Sequence, residues 1–377
     1  MSYKKGKSIK ITSVSQFVEE IARLEKEEGA EIFYRGHADE SWDLLPSIFR
    51  VDKGLENEHL LFRDMVAHMP QSFSECKSAL DYLVQMQHYG LPTRLLDVTI
   101  NPLIALYFAC SHIDDFEQVV LDAALAGASV GVDVGDTLEI GMAGAVAGAL
   151  VGAGMPRALA SYVTKGFIKV FYDKGKYSSG NIEELVDKAT EAGVKAAEEV
   201  KGRDGVVYQF SVPPTMVKHY DSDSVSVLAN LAKCEISEGC LVLSPLEAFN
   251  GQRDIKRLLE LVKEEKPYFQ PSICFHNLQS LFLVKAKNSN QRIINQMGAF
   301  FIFGLGELSS KGSWPCLTKE KHAEIPREWI KTRFVIPGEC KEGIFAQLSQ
   351  LGITDSLLFP EIATYAGELL ARYGLRR

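Results

Sequence analysis

The sequence predicts an α+β protein: a single mixed or largely antiparallel sheet domain with surrounding helices, interrupted by a mostly helical glycine-zipper insertion over 114–203. Three observations carry this. Short β-branched and aromatic runs bounded by glycine or proline recur on both flanks. Capped, amphipathic helical segments alternate with some of them. Between the flanks the composition shifts abruptly toward glycine, alanine and small aliphatic residues.

Taken in order, Ser13-x-x-Gln16 reads as a capping box that opens a helix with Phe17, Ile21 and Leu24 on one face, and Gly29 is expected to close it. Glu31 to Gly36 reads as a strand that delivers Arg35 to its exit. A polar loop follows over 39–50, packed down by Trp42, Leu44, Leu45 and Pro46, and then helices over 60–69 and 79–87. Gly90 suits the C′ position of the second helix, and Pro92 prevents its resumption. Asn101 is a good N-cap and Pro102 a good first helical residue, so a buried helix should run from Leu103 to Cys110. Between these two helices, Gln87 to Pro102 reads as a short, stiff, polar segment. Its density of hydroxyls, ring-bearing donors and cations around one carboxylate exceeds what core packing requires, so it marks a site.

The insertion carries two glycine zippers, Gly127, Gly131 and Gly135, then Gly144, Gly148 and Gly152. In a helix this spacing makes a smooth stripe on which another helix can approach closely. The uncharged run from Ile140 to Met155 is short for a bilayer-spanning helix, which needs ~17–25 residues. Asp122, Asp133, Asp136 and Glu139 around the first zipper would be costly in hydrocarbon. Two readings are therefore open: a tightly packed helical hairpin or homo-oligomer surface, and a membrane-active segment. Asn181 to Val200 reads as an amphipathic charged helix.

From Gly205 the globular pattern resumes. Val206 to Val212 reads as a strand stopped by Pro213-Pro214. Further strands are expected over 240–244, 280–286, 299–303 and 333–336, with helices over 224–233, 252–265, 341–351 and 360–373.

Composition excludes several classes. The net charge of −8 and pI near 5.6 argue against a dedicated nucleic-acid surface. Seven scattered cysteines with no C-x-x-C pair fit reduced thiols in a cytoplasmic protein. Met1 to Lys10 is basic without an apolar run, so export by a signal peptide is not indicated. The eight histidines do not fall at metal spacing, and no metal is expected. Phosphate-loop, H-E-x-x-H and G-x-S-x-G motifs do not occur.

Two further polar clusters accompany the Gln87–Pro102 segment. In Tyr34-Arg35-Gly36, glycine would let a ligand approach the backbone, and arginine offers a planar fork suited to phosphate or carboxylate. The second, Asn290 to Phe301, places Gln296 just ahead of an apolar strand, with Gly298 leaving room beside it. Against these stand plainer readings: a surface arginine at a strand end, a solvated loop over 290–295, and a structural His88.

Phe33-Tyr34-Arg35-Gly36, Gln87-His88-Tyr89-Gly90-Leu91-Pro92-Thr93-Arg94-Leu95-Leu96-Asp97 with the following Asn101-Pro102-Leu103, and Arg292-x-x-x-Gln296-x-Gly298-x-Phe300 together resemble the FRG domain family, named for its aromatic-Arg-Gly motif. The resemblance covers about 30–110 and 204–305, which makes 1–113 the first part of the domain, 114–203 the insertion, and 204–377 the second part with C-terminal helices. A weaker similarity to ADP-ribosyltransferases implies an NAD cofactor or substrate. On that resemblance Arg35 clamps a phosphate, His88, Tyr89 or Thr93 forms the second motif, and Gln296 takes a third position that is acidic in those enzymes. An amide supplies no negative charge, so Glu361 or Glu265 would have to reach the site. The expected catalytic residues are Gln296, His88 and Glu361. The expected ligand-holding residues are Arg35, Gly36, Tyr89, Thr93, Arg94 and Asp97, with Arg94 braced against Asp97.

Two functions are thus expected. One is a cytoplasmic effector that binds an NAD-like or nucleotide-like ligand, ADP-ribosyltransferase-like or NAD-consuming, in a toxin or antiphage setting. The other is a non-catalytic ligand-sensing domain whose insertion oligomerises or disrupts a membrane, to which the protein would move on activation.

Overall fold

The computed structural model describes residues 7–25, 27–111, 190–191, 202–236, 241–243, 245–287, 290–311 and 314–360. The two glycine zippers, the 181–200 helix apart from two residues, and the 360–373 helix beyond Pro360, Glu361 included, lie outside the described residues.

The first flank forms β1 (Lys7–Lys10), α1 (Val14–Ala22), β2 (Glu31–His37), α2 (Gly54–His68), α3 (Ala79–His88), β3 (Leu95–Thr99) and α4 (Pro102–Cys110). The second forms β4 (Gly205–Val212), β5 (Val217–His219), α5 (Asp223–Asn230), β6 (Leu241–Val242), α6 (Leu246–Gly251), α7 (Arg253–Glu265), α8 (Phe275–Leu278), β7 (Leu281–Lys285), α9 (Gln291–Asn295), β8 (Gly298–Phe303), β9 (Leu305–Lys311), β10 (Trp314–His322), β11 (Ile330–Ile336), α10 (Gly338–Gln350) and α11 (Asp355–Leu358).

The fold is α+β, built on one eight-stranded mixed sheet of order β1-β11-β4-β2-β3-β8-β7-β5. Only the β1–β11 and β5–β7 pairs, at its two edges, are parallel. A separate three-stranded sheet, β6-β10-β9, stands beside it. Strands from the two flanks interleave: β2 from the first pairs with β4 from the second, and β3 with β8. The flanks therefore make one domain, with the insertion leaving at α4 and returning at β4.

Local chemistry explains many of the boundaries. Ser13 Oγ accepts the Gln16 N–H, as a capping residue should. That helix ends at Ala22, short of Gly29, whose φ of +77° instead serves the turn into β2. At α3, Ser78 and Asp81 form a reciprocal capping box, and Gly90 has a φ of +82° just past the C-cap. Asn101 Oδ1 accepts the Leu103 N–H at 2.9 Å, ahead of Pro102 at the first position of α4.

The expected polar segment between α3 and α4 is not a simple loop. Its second half, Leu95 to Thr99, is β3, a central strand of the sheet. Leu96 and Val98 face one core, while Leu95 joins another on the opposite side. In place of the solvated loop weighed as the alternative over 290–295 stands the helix α9, capped by Asn290 Oδ1 on the Arg292 N–H.

The sheet is divided at its centre. β2 pairs with β4 over seven residues and β3 with β8 over five, yet β2 and β3 share one registered pair, Tyr34 and Thr99. Beyond it the strands part, from Arg35 onward in β2 and from Val98 backward in β3. The helices divide accordingly. Tyr34, Val207 and Phe334 pack with α1, α4 and α10, while Leu95, Phe300 and Ile302 pack with α3, α5 and α7. A third cluster on the opposite face, with Phe33, Leu96, Phe210, Phe301 and Trp329, spans both halves and ties them together.

Candidate functional site

The parting of β2 and β3 opens into a cavity of about 380 Å³. Its wall takes Tyr34 to Ala38 from β2 and its exit, Asp97 to Thr99 from β3, Gln87 and His88 from α3, and Tyr107, Phe108 and Ser111 from α4 and its end. Arg292 and Gln296 come from α9 and its C-cap, Phe300 from β8, and Trp42 and Phe359 from loops. Three sequence clusters, the outermost more than 250 residues apart, thus meet at one place.

Arg35 bridges the gap. Its Nη1 donates to the Asp97 carbonyl at 2.6 Å and its Nε to His37 Nε2 at 2.8 Å. A side chain here takes over a link between strands that backbone pairing no longer makes. Because His37 Nε2 accepts, the ring is neutral with its proton on Nδ1. Burial, reinforced by the nearby Arg35 and Arg50 cations, holds the His37 pKa well below the usual histidine range, while the Trp42 backbone opposes the shift. The ring also sits edge-on to Tyr208, with centroids 5.5 Å apart. Burial draws the Arg35 pKa down to about 10, against the pull of the Asp97 carboxylate and with a further push from Arg50, so the guanidinium stays charged at neutral pH.

A second chain of hydrogen bonds orients the Asp97 side chain. Thr93 Oγ1 donates to Gln87 Oε1 at 2.5 Å, and Gln87 Nε2 donates to Asp97 Oδ2 at 2.6 Å. Thr93 therefore acts through Gln87 rather than from the wall itself. On the far side, Thr99 Oγ1 donates to the Gln296 carbonyl at 2.7 Å, and Gln296 Nε2 to the Leu358 carbonyl at 3.1 Å. Asn295 Nδ2 donates to the Leu357 carbonyl at 2.6 Å, and the Arg292 guanidinium lies 4.5 Å from the centroid of the Phe359 ring. The strap Leu357–Phe359 thus closes one side of the cavity. A contact between the Tyr107 hydroxyl and Asp355 holds α11 beneath it.

Of the expected site residues, Arg35, Gly36, His88, Asp97 and Gln296 all line the cavity. Tyr89, Thr93 and Arg94 do not. Tyr89 is the exposed C-cap of α3. Arg94 is fully buried and makes no brace with Asp97: its Nε donates to Glu58 Oε1 at 2.8 Å, its Nη2 to Glu58 Oε2, and its Nη1 to the Phe303 carbonyl at 3.0 Å. Its role is to fasten α2 to β3 and β8. Glu265 also lies away from the cavity, accepting the Ala79 N–H at 2.6 Å and the Ser226 hydroxyl. Glu361 falls outside the described residues.

Gly36 serves a different purpose from the expected one. A Cβ there would lie 1.9 Å from the Ala105 carbonyl oxygen and 2.7 Å from the Ala109 nitrogen, so it is the α4 backbone that approaches it, not a ligand. Gly298, by contrast, has ordinary space around it.

His37 escaped the sequence reading, although the period of two in β2 places it on the same face as Arg35. Gln87 carried no assigned role, and its partners become visible only when α3 lies against β3. Among the described residues no group of three or more metal-ligating side chains comes together, and no helix is long and apolar enough to cross a membrane.

Residues 30–118 match the FRG domain family model. No curated protein and no solved structure matches the chain. The match contains β2, α3, β3 and α4, and therefore Arg35, Gln87, His88 and Asp97, whereas α9 and Gln296 lie beyond its end.

Proposed function

With residues 30–118 forming an FRG domain, we propose that its cavity binds an NAD-like or nucleotide-like ligand and cleaves the bond between nicotinamide and ribose. One observation carries the reading: the cavity at the parted strands holds two cations, Arg35 and Arg292, together with aromatic walls and amide side chains. The cations suit a diphosphate, and Trp42, Tyr107, Phe300 and Phe359 offer faces and edges for a base. Gln296 supplies an amide for a ribose hydroxyl. A volume of about 380 Å³ falls in the range of small-molecule sites. The chemistry would be NAD-consuming, by hydrolysis or by ADP-ribosyl transfer, in a cytoplasmic effector of the toxin or antiphage kind.

The test is incubation of the full chain with NAD, following nicotinamide release, beside Arg35→Ala. Release by the wild type and its loss in the variant support the reading. A folded wild type with no release removes the cleavage step.

A second reading, non-catalytic ligand sensing, is favoured by the position of Ser111. This residue lines the cavity three positions ahead of the insertion at 114–203, so ligand contacts there would act directly on the chain entering it. The insertion would then oligomerise or disrupt a membrane on binding. Liposome leakage that requires ADP-ribose and vanishes in Gly148→Leu would favour this reading. Wild type without leakage would remove it.

A further inference from the structure

The proposed cleavage leaves one requirement unmet. Breaking the bond from C1′ to the pyridinium nitrogen sends the bonding electron pair to nicotinamide and leaves positive charge on the ribose. A fixed negative charge beside C1′ lowers that barrier, and neither Gln296 nor His88 supplies one. Among the described residues lining the cavity, Asp97 is the only carboxylate.

Its setting fits the task. Arg35 donates its hydrogen bond to the Asp97 backbone carbonyl, so the direct link across the gap does not occupy the carboxylate. Gln87 holds Oδ2 with a neutral amide and is itself fixed by Thr93. A neutral donor orients the carboxylate and leaves its charge in place, which an ion pair at contact distance would largely cancel. Among the described residues Oδ1 has no hydrogen-bond partner. Arg35 and Arg292 lie to either side, on β2 and α9, in position for the anionic part of the same ligand.

We infer that Asp97 is the catalytic carboxylate, stabilising the oxocarbenium-like ribose of an NAD-like substrate while Gln87 positions it. This rests on the NAD reading above. The step balances without a co-reactant other than water: the glycosidic bond breaks, neutral nicotinamide leaves with the electron pair, water bonds to C1′ and loses one proton to solvent, and the products are ADP-ribose and nicotinamide.

The experiment compares wild type with Asp97→Asn, which keeps the acceptor for Gln87 and the main-chain carbonyl for Arg35 but loses the charge. Nicotinamide release, ADP-ribose affinity and thermal unfolding are measured on both. The expected result is a rate loss of about a hundredfold or more, with ADP-ribose affinity within about threefold and unfolding unchanged. An unchanged rate in Asp97→Asn overturns the assignment. So does a rate loss matched by an equal loss of ADP-ribose affinity, which would make Asp97 a binding residue. If Asp97→Asn unfolds early, Gln87→Met is read instead: it removes the neutral donor to Asp97 together with the acceptor of the Thr93 hydroxyl, and an unchanged rate overturns the orienting arrangement on which the assignment stands. Wild type that binds ADP-ribose but releases no nicotinamide overturns both this inference and the cleavage reading, while wild type that binds neither NAD nor ADP-ribose overturns the ligand reading itself.

Discussion

Arg35 and Asp97 are joined across the parted strands by a hydrogen bond of 2.6 Å from guanidinium to backbone carbonyl, while the same guanidinium holds His37 through Nε. The fork geometry of arginine makes both bonds possible at once. Lysine would keep the charge but present one mobile donor cluster instead of a fixed plane. Arg35→Lys is therefore expected to weaken ADP-ribose binding by about ten- to a hundredfold, as measured by calorimetry, with a modest change in melting temperature. Full affinity in the lysine variant would mean that charge alone suffices at this position.

His37 makes stability depend on pH with a definite sign. In the unfolded chain it takes up a proton near pH 6.5, whereas in the folded protein burial and the Arg35 and Arg50 cations keep it neutral to well below that pH. The unfolded state therefore binds more protons as pH falls below about 6.5, and stability drops on acidification by up to about 1.4 kcal/mol per pH unit from this group. Above that window the group contributes no pH dependence. His37→Gln retains an acceptor for Arg35 without the titration. Denaturant midpoints from pH 8 to 5 should fall less steeply in the variant, and parallel curves would show that His37 titrates alike in both states.

Two glycines at the site should respond unequally to the same change. Gly36→Ala forces a methyl against the Ala105 carbonyl and Ala109 nitrogen, which are backbone atoms of α4 and have nowhere to move, so a loss of about 1–3 kcal/mol or more is expected. Gly298→Ala meets only Ile293, at 3.6 Å, and should be close to neutral. Chemical denaturation of the pair settles the contrast.

The local features were legible because their chemistry is local. Asn101 caps α4 two residues away, and Gly90 terminates α3 by its own backbone angle. β3 was not, because a central strand buried on both sides lacks a clean alternation and Asp97 interrupts its short apolar run. Arg35, Gly36, His88, Asp97 and Gln296 line one cavity, but the part each plays depends on which neighbours arrive. Gly36 meets a helix seventy residues on, and the partner of Arg94, Glu58, lies on α2, which begins at Gly54, ahead of the 60–69 helix that the sequence predicts. Arg35, Asp97 and Gln296 converge only because strands from the two flanks interleave around the divided sheet.

The Arg94–Glu58 pair is a buried bidentate bridge, so the two residues should be far more sensitive singly than together. Arg94→Met takes the guanidinium away from the buried Glu58 carboxylate, and Glu58→Met takes the carboxylate away from the buried Arg94, each costing about 3–5 kcal/mol. The double variant removes both charges and should recover much of that loss. Unfolding free energies of the four proteins close the cycle, and simple additivity would exclude the bridge as the source of the effect.

Phe359 tests the side of the cavity that the strap closes. Its ring lies beneath the Arg292 guanidinium and edge-on to Phe108, with centroids 6.1 Å apart. The backbone of the strap is held separately, through the Leu357 and Leu358 carbonyls. Phe359→Ala should therefore remove a wall and leave the strap in place. A ligand seated against that ring would leave about ten times faster, because loss of packing contacts appears mainly in the dissociation rate. Arg292, released from the ring, would be better hydrated and a weaker partner for an anion. Stopped-flow displacement of etheno-ADP-ribose measures the rate directly, and Phe359→Leu should restore part of the residence time. Dissociation that is equally fast in wild type and Phe359→Ala would place the ligand on the β2 side of the cavity, against Arg35 and Trp42.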